Sequence, residues 1–197
     1  MEKQGRTRKV LASTLVLGLV AGLATIASFA AFSSTTSNGD NDFDAGTVYI
    51  TDNDSNAVMY DLTNQAPGDS VTKCIKVTYQ GSLDAAVKMY GSASGTFGGY
   101  VTLTIEEGDS SDAFPACTGF TASSTIYSGE LDEFTATHSS FASGLATTDT
   151  DAGDWQLNDV RVYRFTLTLQ DDNGANGQGS GPLGTDDHSF TWEAQNV

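Results

Sequence analysis

Residues 162–169 read Val-Tyr-Arg-Phe-Thr-Leu-Thr-Leu, and this stretch decides the fold. Its apolar residues, Tyr163, Phe165, Leu167 and Leu169, alternate with arginine and threonine. Successive side chains of a β-strand point to opposite faces of the sheet, so the alternation predicts a strand with one buried face.

The same period of two recurs along the chain, and the segments between are punctuated by Gly, Asn, Asp and Ser. The further apolar faces are Val48 and Ile50; Val58, Tyr60 and Leu62; Val71, Ile75, Val77 and Tyr79; Leu83, Ala85, Val87 and Met89; Val101, Leu103 and Ile105; and Phe190, Trp192 and Ala194. Seven or more short strands of this kind predict an all-β fold, an antiparallel β-sandwich of two packed sheets. Residues 110–154 show no clear period, and we expect one or two strands and a short helix there.

The N-terminus has the pattern of a secretory signal peptide. Four basic residues within positions 3–9 precede an uncharged, apolar or small stretch from Val10 to Phe32, and Ser28-Phe29-Ala30 has small residues at the cleavage-site positions. We expect a signal peptide over 1–30, cut between Ala30 and Ala31, a flexible tail over 31–42 and a β-sandwich domain over 43–197. The alternative is an uncleaved membrane anchor, because this stretch is long enough to span a bilayer.

The chain is strongly acidic. It has 9 basic and 25 acidic residues, and without positions 1–30 it keeps 5 basic and 24 acidic ones. The electrostatic field of this negative charge repels nucleic acid and anionic lipid. We therefore expect no nucleic-acid partner, and we expect contact with a membrane only through the leader. The surface suits solubility in salt, capture of divalent cations or a basic partner.

Two cysteines, Cys74 and Cys117, lie in a chain expected to be exported, where disulfides persist, so we expect them to pair. Cys74 alternates against Ile75 and Val77 and should point away from the sandwich core. Alternatively, Cys74 is a small buried hydrophobe, which requires that the opposite face is covered too.

Several short motifs follow one another along the chain. They are Phe43-Asp44-Ala45-Gly46-Thr47-Val48 after the leader; Asn64-Gln65-Ala66-Pro67-Gly68-Asp69, a "PGD" turn before a long strand; Gln80-Gly81-Ser82-Leu83; Tyr163-Arg164-Phe165; Asp171 through Gly179 with its "QG" pair; and Phe190-Thr191-Trp192-Glu193-Ala194. In this order, they resemble the TasA/camelysin family. The resemblance covers both ends of the mature chain and not residues 110–154, and the cysteine pair is not part of the family pattern.

The resemblance implies a jelly-roll-like sandwich and export by a dedicated SipW-type signal peptidase to the cell surface or matrix. It also implies, for several members, assembly into biofilm fibres, and it carries the metallopeptidase label of camelysin.

The residues themselves do not support catalysis. A zinc hydrolase usually presents two histidines spaced on a helix and a glutamate base, whereas His138 and His188 lie 50 residues apart. No Gly-x-Ser-x-Gly elbow is present, and nothing selects a Ser-His-Asp triad. We therefore expect no catalytic residues and no cofactor apart from calcium.

Calcium is the better chemical candidate, because oxygen-rich loops supply the ligands it needs. The first set to consider is Asp171, Asp172 and Asn173, followed by Asp149, Asp151 and Asp154; Asp52, Asp54 and Asn56 also alternate. None has the full 12-residue calcium loop, and solvated turn residues are the alternative.

The main functional hypothesis is self-association. Open sheet edges accept extended strands, and residues 31–42, with Phe32 as an apolar anchor, could add to the next subunit's sheet and build a homopolymeric fibre. The alternatives are a camelysin-like secreted metalloendopeptidase and a surface adhesin or carbohydrate-binding module, with Tyr49, Tyr60 and Trp155 as stacking platforms.

Overall fold

The computed structural model describes residues 44–109, 114–148, 153–172, 174–175 and 187–197. The described strands are β1 (Ile50–Asp52), β2 (Ser70–Tyr79), β3 (Ala85–Ser94), β4 (Val101–Asp109), β5 (Thr121–Glu130), β6 (Leu145–Thr147), β7 (Val160–Leu169) and β8 (Asp187–Asn196). A 3-10 turn (Gly98–Tyr100) precedes β4, and one α-helix, α1 (Leu131–Thr137), follows β5.

The strands form two antiparallel sheets. One has five strands in the order β1-β2-β7-β4-β5, and the other has three in the order β6-β3-β8. This arrangement confirms the prediction of an all-β antiparallel sandwich.

β7 lies at the centre of the larger sheet, between β2 and β4. Its residues Tyr163 and Phe165 are fully buried, and Leu167 and Leu169 are nearly so, as the alternation predicts. Tyr163, Phe165 and Leu167 pack in one core with Leu103 and Ile105 of β4, Val87 and Met89 of β3, and α1, whose Leu131 and Phe134 point inward.

The Pro67-Gly68-Asp69 turn leads into β2. Gly68 has a φ of +85°, a conformation that glycine adopts without a steric penalty. The Asp69 carboxylate accepts a hydrogen bond from the Ala66 N–H at 2.7 Å, and the Asp69 N–H donates to the Ala66 carbonyl at 2.9 Å. Both bonds tighten the turn that aims β2.

The strand predicted over residues 58–62 is wrong. This segment is not part of either sheet; Val58 is 76% exposed and Leu62 is 42% exposed. The chain turns away from the sheet immediately after β1, because Ser55 and Asn56 adopt positive φ values. Alternating side chains therefore lack the neighbouring strand that a ladder requires.

The described part of residues 110–154 contains β5, α1 and β6, which confirms the expectation of one or two strands and a short helix there. In the described parts of the chain, no helix is both long and apolar enough to traverse a bilayer. All strands belong to one unit, Ala45–Val197.

Candidate functional site

A long groove opens between the two sheets, with a volume of about 1350 Å³. Its apolar lining comes from β2, β7 and β8 and includes Val71, Ile75, Val77, Leu167, Phe190 and Trp192. Phe190 and Trp192 face the core but are only half-buried, whereas Met89 of the neighbouring strand and Phe165 of the other sheet are fully buried. The sandwich is therefore incompletely closed along β8.

β8 forms one wall of this groove and is the edge of the smaller sheet. Among the described strands it pairs only with β3, along ten registered positions from Ala85↔Asn196 to Ser94↔Asp187. The outer side of an edge strand presents backbone N–H and C=O groups that can pair with another extended chain. Here that outer side runs beside the half-buried apolar lining of the groove.

The edge of β2 is protected in a different way. β1 covers only Val77–Tyr79. Further along, the Lys76 N–H donates to the Asn53 side-chain oxygen at 2.8 Å, and the Cys74 N–H donates to the Pro115 carbonyl at 3.0 Å. These two contacts occupy edge positions that a foreign strand would need.

β5 is the other edge of the larger sheet. It pairs with β4 through two register shifts, at Ile105/Glu106 and at Glu107/Gly108. Such irregularities bend and twist an edge, and natural proteins use them to discourage edge-to-edge pairing.

The segment Val58–Leu62, which we call the strap, lines the groove. Met59 and Tyr60 pack against the core, and the Tyr60 hydroxyl forms a hydrogen bond with His188 Nε2. The two rings lie 5.3 Å apart, and burial raises the pKa of Tyr60. In the described chain, Val58–Leu62 makes no backbone hydrogen bond to either sheet. Side chains alone hold the strap.

Cys74 and Cys117 are joined by a disulfide, with their Cα atoms 5.1 Å apart. Cys74 points away from the core, yet it is only 1% exposed, because the disulfide-bonded loop covers the outer face of the sheet. In that loop, the Phe120 ring lies 4.6 Å from the Arg164 guanidinium, which pairs with Glu106 at 2.6 Å. Cys74 therefore points away from the core, as the first interpretation expects, and it is also buried under a covered outer face, as the alternative requires.

The structure does not assemble the predicted calcium ligands within its described part. Asp172 accepts a hydrogen bond from the Gly174 N–H at 2.6 Å and so shapes its own turn. Asp171 and Asp154 are described, whereas Asn173, Asp149 and Asp151 lie outside the described residues. Asp52 accepts from the Asp54 N–H at 3.1 Å, and Asp54 from the Asn56 N–H at 2.6 Å.

The two histidines are in separate aromatic surroundings. His138 donates from its Nδ1–H to the Ser143 carbonyl at 2.7 Å and packs against Phe134, while His188 packs against Phe190. The rings of Phe134 and Phe190 touch each other, with their centroids 5.7 Å apart. Within the described ranges, no group of three His, Cys, Asp or Glu residues is placed to hold a metal.

Three aromatic residues are predicted from the sequence to be exposed stacking platforms, and for Trp155 this prediction is wrong. It is fully buried, with its Nε1–H donating to the Thr147 carbonyl at 3.3 Å. Tyr49 is 56% exposed, and Tyr60 belongs to the strap. The predicted cleavage and assembly residues, Ala30, Ala31 and Phe32, lie outside the described residues.

Sequence reasoning missed a buried charged group at one end of the sandwich. Glu107 and Arg161 are each only 6% exposed. Arg161 donates to the Thr148 carbonyl at 2.8 Å and pairs with Asp109 at 3.2 Å, and Glu107 accepts from the Thr148 hydroxyl at 3.0 Å. The sequence could have revealed that these two side chains are buried, since both residues fall in phase with the apolar face of their strands.

The chain is similar to a known protein family. The family described as camelysin metallo-endopeptidase matches residues 3–94, slightly less than half of the chain, and the matched range ends with β3. No curated protein matches the chain. The matched range contains the Pro67-Gly68-Asp69 turn, the strap and β2.

Proposed function

We propose that this chain, whose residues 3–94 match the camelysin family, is an exported structural protein of the cell surface or matrix that forms fibres by strand addition. The observation that carries the proposal is the outer edge of β8 beside an open apolar groove. An extended segment placed there would gain backbone hydrogen bonds from β8 and would bury side chains against Val71 and Phe190.

The segment that occupies the groove is residues 31–42 of the next subunit. Cleavage after Ala30 creates a positively charged α-amino group at Ala31, and Phe32 is the large apolar side chain beside it. Among the described residues, five aspartates line the groove, namely Asp52, Asp54, Asp61, Asp69 and Asp187. A cationic terminus followed by an aromatic ring complements an acidic rim over an apolar floor.

Assembly of this kind is head-to-tail, because the tail of one subunit binds the groove of another. Such a contact does not close on itself and produces a filament. An uncut leader would leave the tail joined to residues 1–30, so cleavage by a signal peptidase would control when assembly begins.

The family description also favours a second candidate, a metallo-endopeptidase. The described residues do not fit a zinc centre, because His138 and His188 are engaged by Ser143 and Tyr60 on either side of two phenylalanine rings. A peptidase would need ligands that include residues outside the described ranges. Metal analysis together with hydrolysis of a peptide library would test it.

The first test of the fibre proposal is deletion of Ser33–Asp42 from the chain that begins at Ala31. All described elements lie within Ala45–Val197, so the variant should fold as a monomer. We expect electron microscopy to show filaments for the full mature chain and none for the variant.

Two controls make this test decisive. A scrambled tail of equal length and composition separates the effect of sequence from that of length, and thermal unfolding verifies the fold of each variant. Filaments of unchanged length from the deleted variant would refute strand addition by the tail.

A further inference from the structure

We propose that the strap, Val58–Leu62, is a resident gate over the groove that the tail must displace, and that the Tyr60–His188 hydrogen bond is its latch. This inference rests on the proposed function, since it concerns regulation of the same site. The same chain segment would then determine how readily one subunit accepts the next.

The strap has the contacts expected of a displaceable segment. In the described structure its backbone makes no hydrogen bond to β2 or β8, and two of its apolar side chains, Val58 and Leu62, are 76% and 42% exposed. Met59 and Tyr60 supply its burial, and the Tyr60 hydroxyl bonds across the groove to His188. Leaving the groove therefore disrupts side-chain contacts and no backbone ladder.

Both ends of the strap have turns that can act as pivots. Ser55 and Asn56 before it have φ values of 55° and 63°, and Asn64 after it has a φ of 56°. The Asp54 carbonyl accepts from the Ala57 N–H at 2.9 Å, and the Pro67-Gly68-Asp69 turn holds the far side. The strap can swing outward while β1 and β2 stay paired.

Strap and incoming strand compete for the same space. His188 and Phe190 line the groove on β8, and Tyr60 lies against His188. A strand paired along the outer side of β8 would pass the position of the Tyr60 ring. The tail would offer in exchange a ladder of backbone hydrogen bonds, which the strap does not make.

The test uses a synthetic, fluorescently labelled peptide of residues 31–42 and the mature chain, kept dilute so that it stays monomeric. Tyr60→Phe removes the latch hydroxyl and keeps the ring. We expect about 2- to 12-fold tighter binding of the peptide, since a typical hydrogen bond contributes about 0.5–1.5 kcal/mol. Tyr49→Phe is the matched control, because Tyr49 does not line the groove.

A second variant keeps the test informative if one change perturbs folding. In a His188→Gln background, Tyr60→Phe should increase the affinity for the peptide by a smaller factor than it does alone, because the two residues act through one hydrogen bond. Equal peptide affinity for Tyr60→Phe, Tyr49→Phe and the unmodified chain would refute the gate while leaving the acceptor groove intact. Absence of peptide binding by every variant, including Tyr60→Ala, would overturn the proposed function and the gate with it.

Discussion

Tyr163 shows how the burial of a single residue makes the stability of the fold depend on pH. It lies on β7 with none of its surface exposed, and burial raises the pKa of its hydroxyl. The unfolded chain releases this proton near pH 10. Because the pKa is higher in the folded state, stability is fully present below about pH 10 and decreases as the pH rises further.

We therefore expect the free energy of unfolding to fall in alkaline solution, and to fall less steeply in Tyr163→Phe. Urea unfolding at a series of pH values from neutral to about 11 would measure this. Tyr49→Phe, at an exposed position, is the control and should follow the unmodified chain. Identical slopes for Tyr163→Phe and the unmodified chain would contradict the assignment.

Other residues show what a sequence can reveal at this scale. Tyr163 and Phe165 are predicted to be buried from their spacing alone, and they are. Glu107 and Arg161 have the same spacing, but a charge in a core-facing position predicts only that a partner exists. The partner, Thr148, lies beyond β6 in a segment without periodicity, so the pairing depends on tertiary structure.

At the scale of elements, the disulfide attaches the loop at Cys117 to β2. It closes a loop of 43 residues, for which the chain-entropy model gives a stabilisation of about 4 kcal/mol. The loop also covers Arg164 and supplies the Pro115 carbonyl to the edge of β2.

We expect the double substitution Cys74→Ala with Cys117→Ala to lower the free energy of unfolding by about 2–4 kcal/mol. Guanidinium unfolding would measure the change, and the unmodified chain in reductant should match the variant. A loss below about 0.5 kcal/mol would show that the loop stays in place without its covalent link.

The elements also show which strands can be predicted from a period of two in the sequence and which cannot. β2, β3, β4, β7 and β8 are predicted by alternation because one face of each is buried. β5 is mostly exposed and rich in Ser and Thr, so its two faces do not differ in sequence. Apolar and polar residues alternate in the strap, but no described strand lies beside it. Alternation in sequence cannot show whether a neighbouring strand is present.

At the scale of the whole molecule, charge dominates. The chain has a formal net charge of −16, and removal of residues 1–30 would make it more negative. Subunits of like charge repel over roughly a Debye length, which is about 30 Å at 0.01 M salt and about 8 Å at 0.15 M.

We expect fibre growth of the mature chain, followed by light scattering, to be faster at 0.15 M salt than at 0.01 M, reflecting weaker repulsion between subunits. The Ser33–Asp42 deletion should show no growth at either concentration. Growth that slows as salt is added would mean that attraction between the α-amino group and the acidic rim outweighs the repulsion.

The covered edge of β2 has a consequence for the architecture of any assembly. A monomer with one donor segment and one acceptor has a functionality of two, in the sense of polymer chemistry, and gives unbranched chains. Asn53, the Pro115 carbonyl and the irregular pairing of β5 suppress additional acceptors. Loss of the covalent link behind Pro115 would raise the functionality and convert linear threads into branched ones.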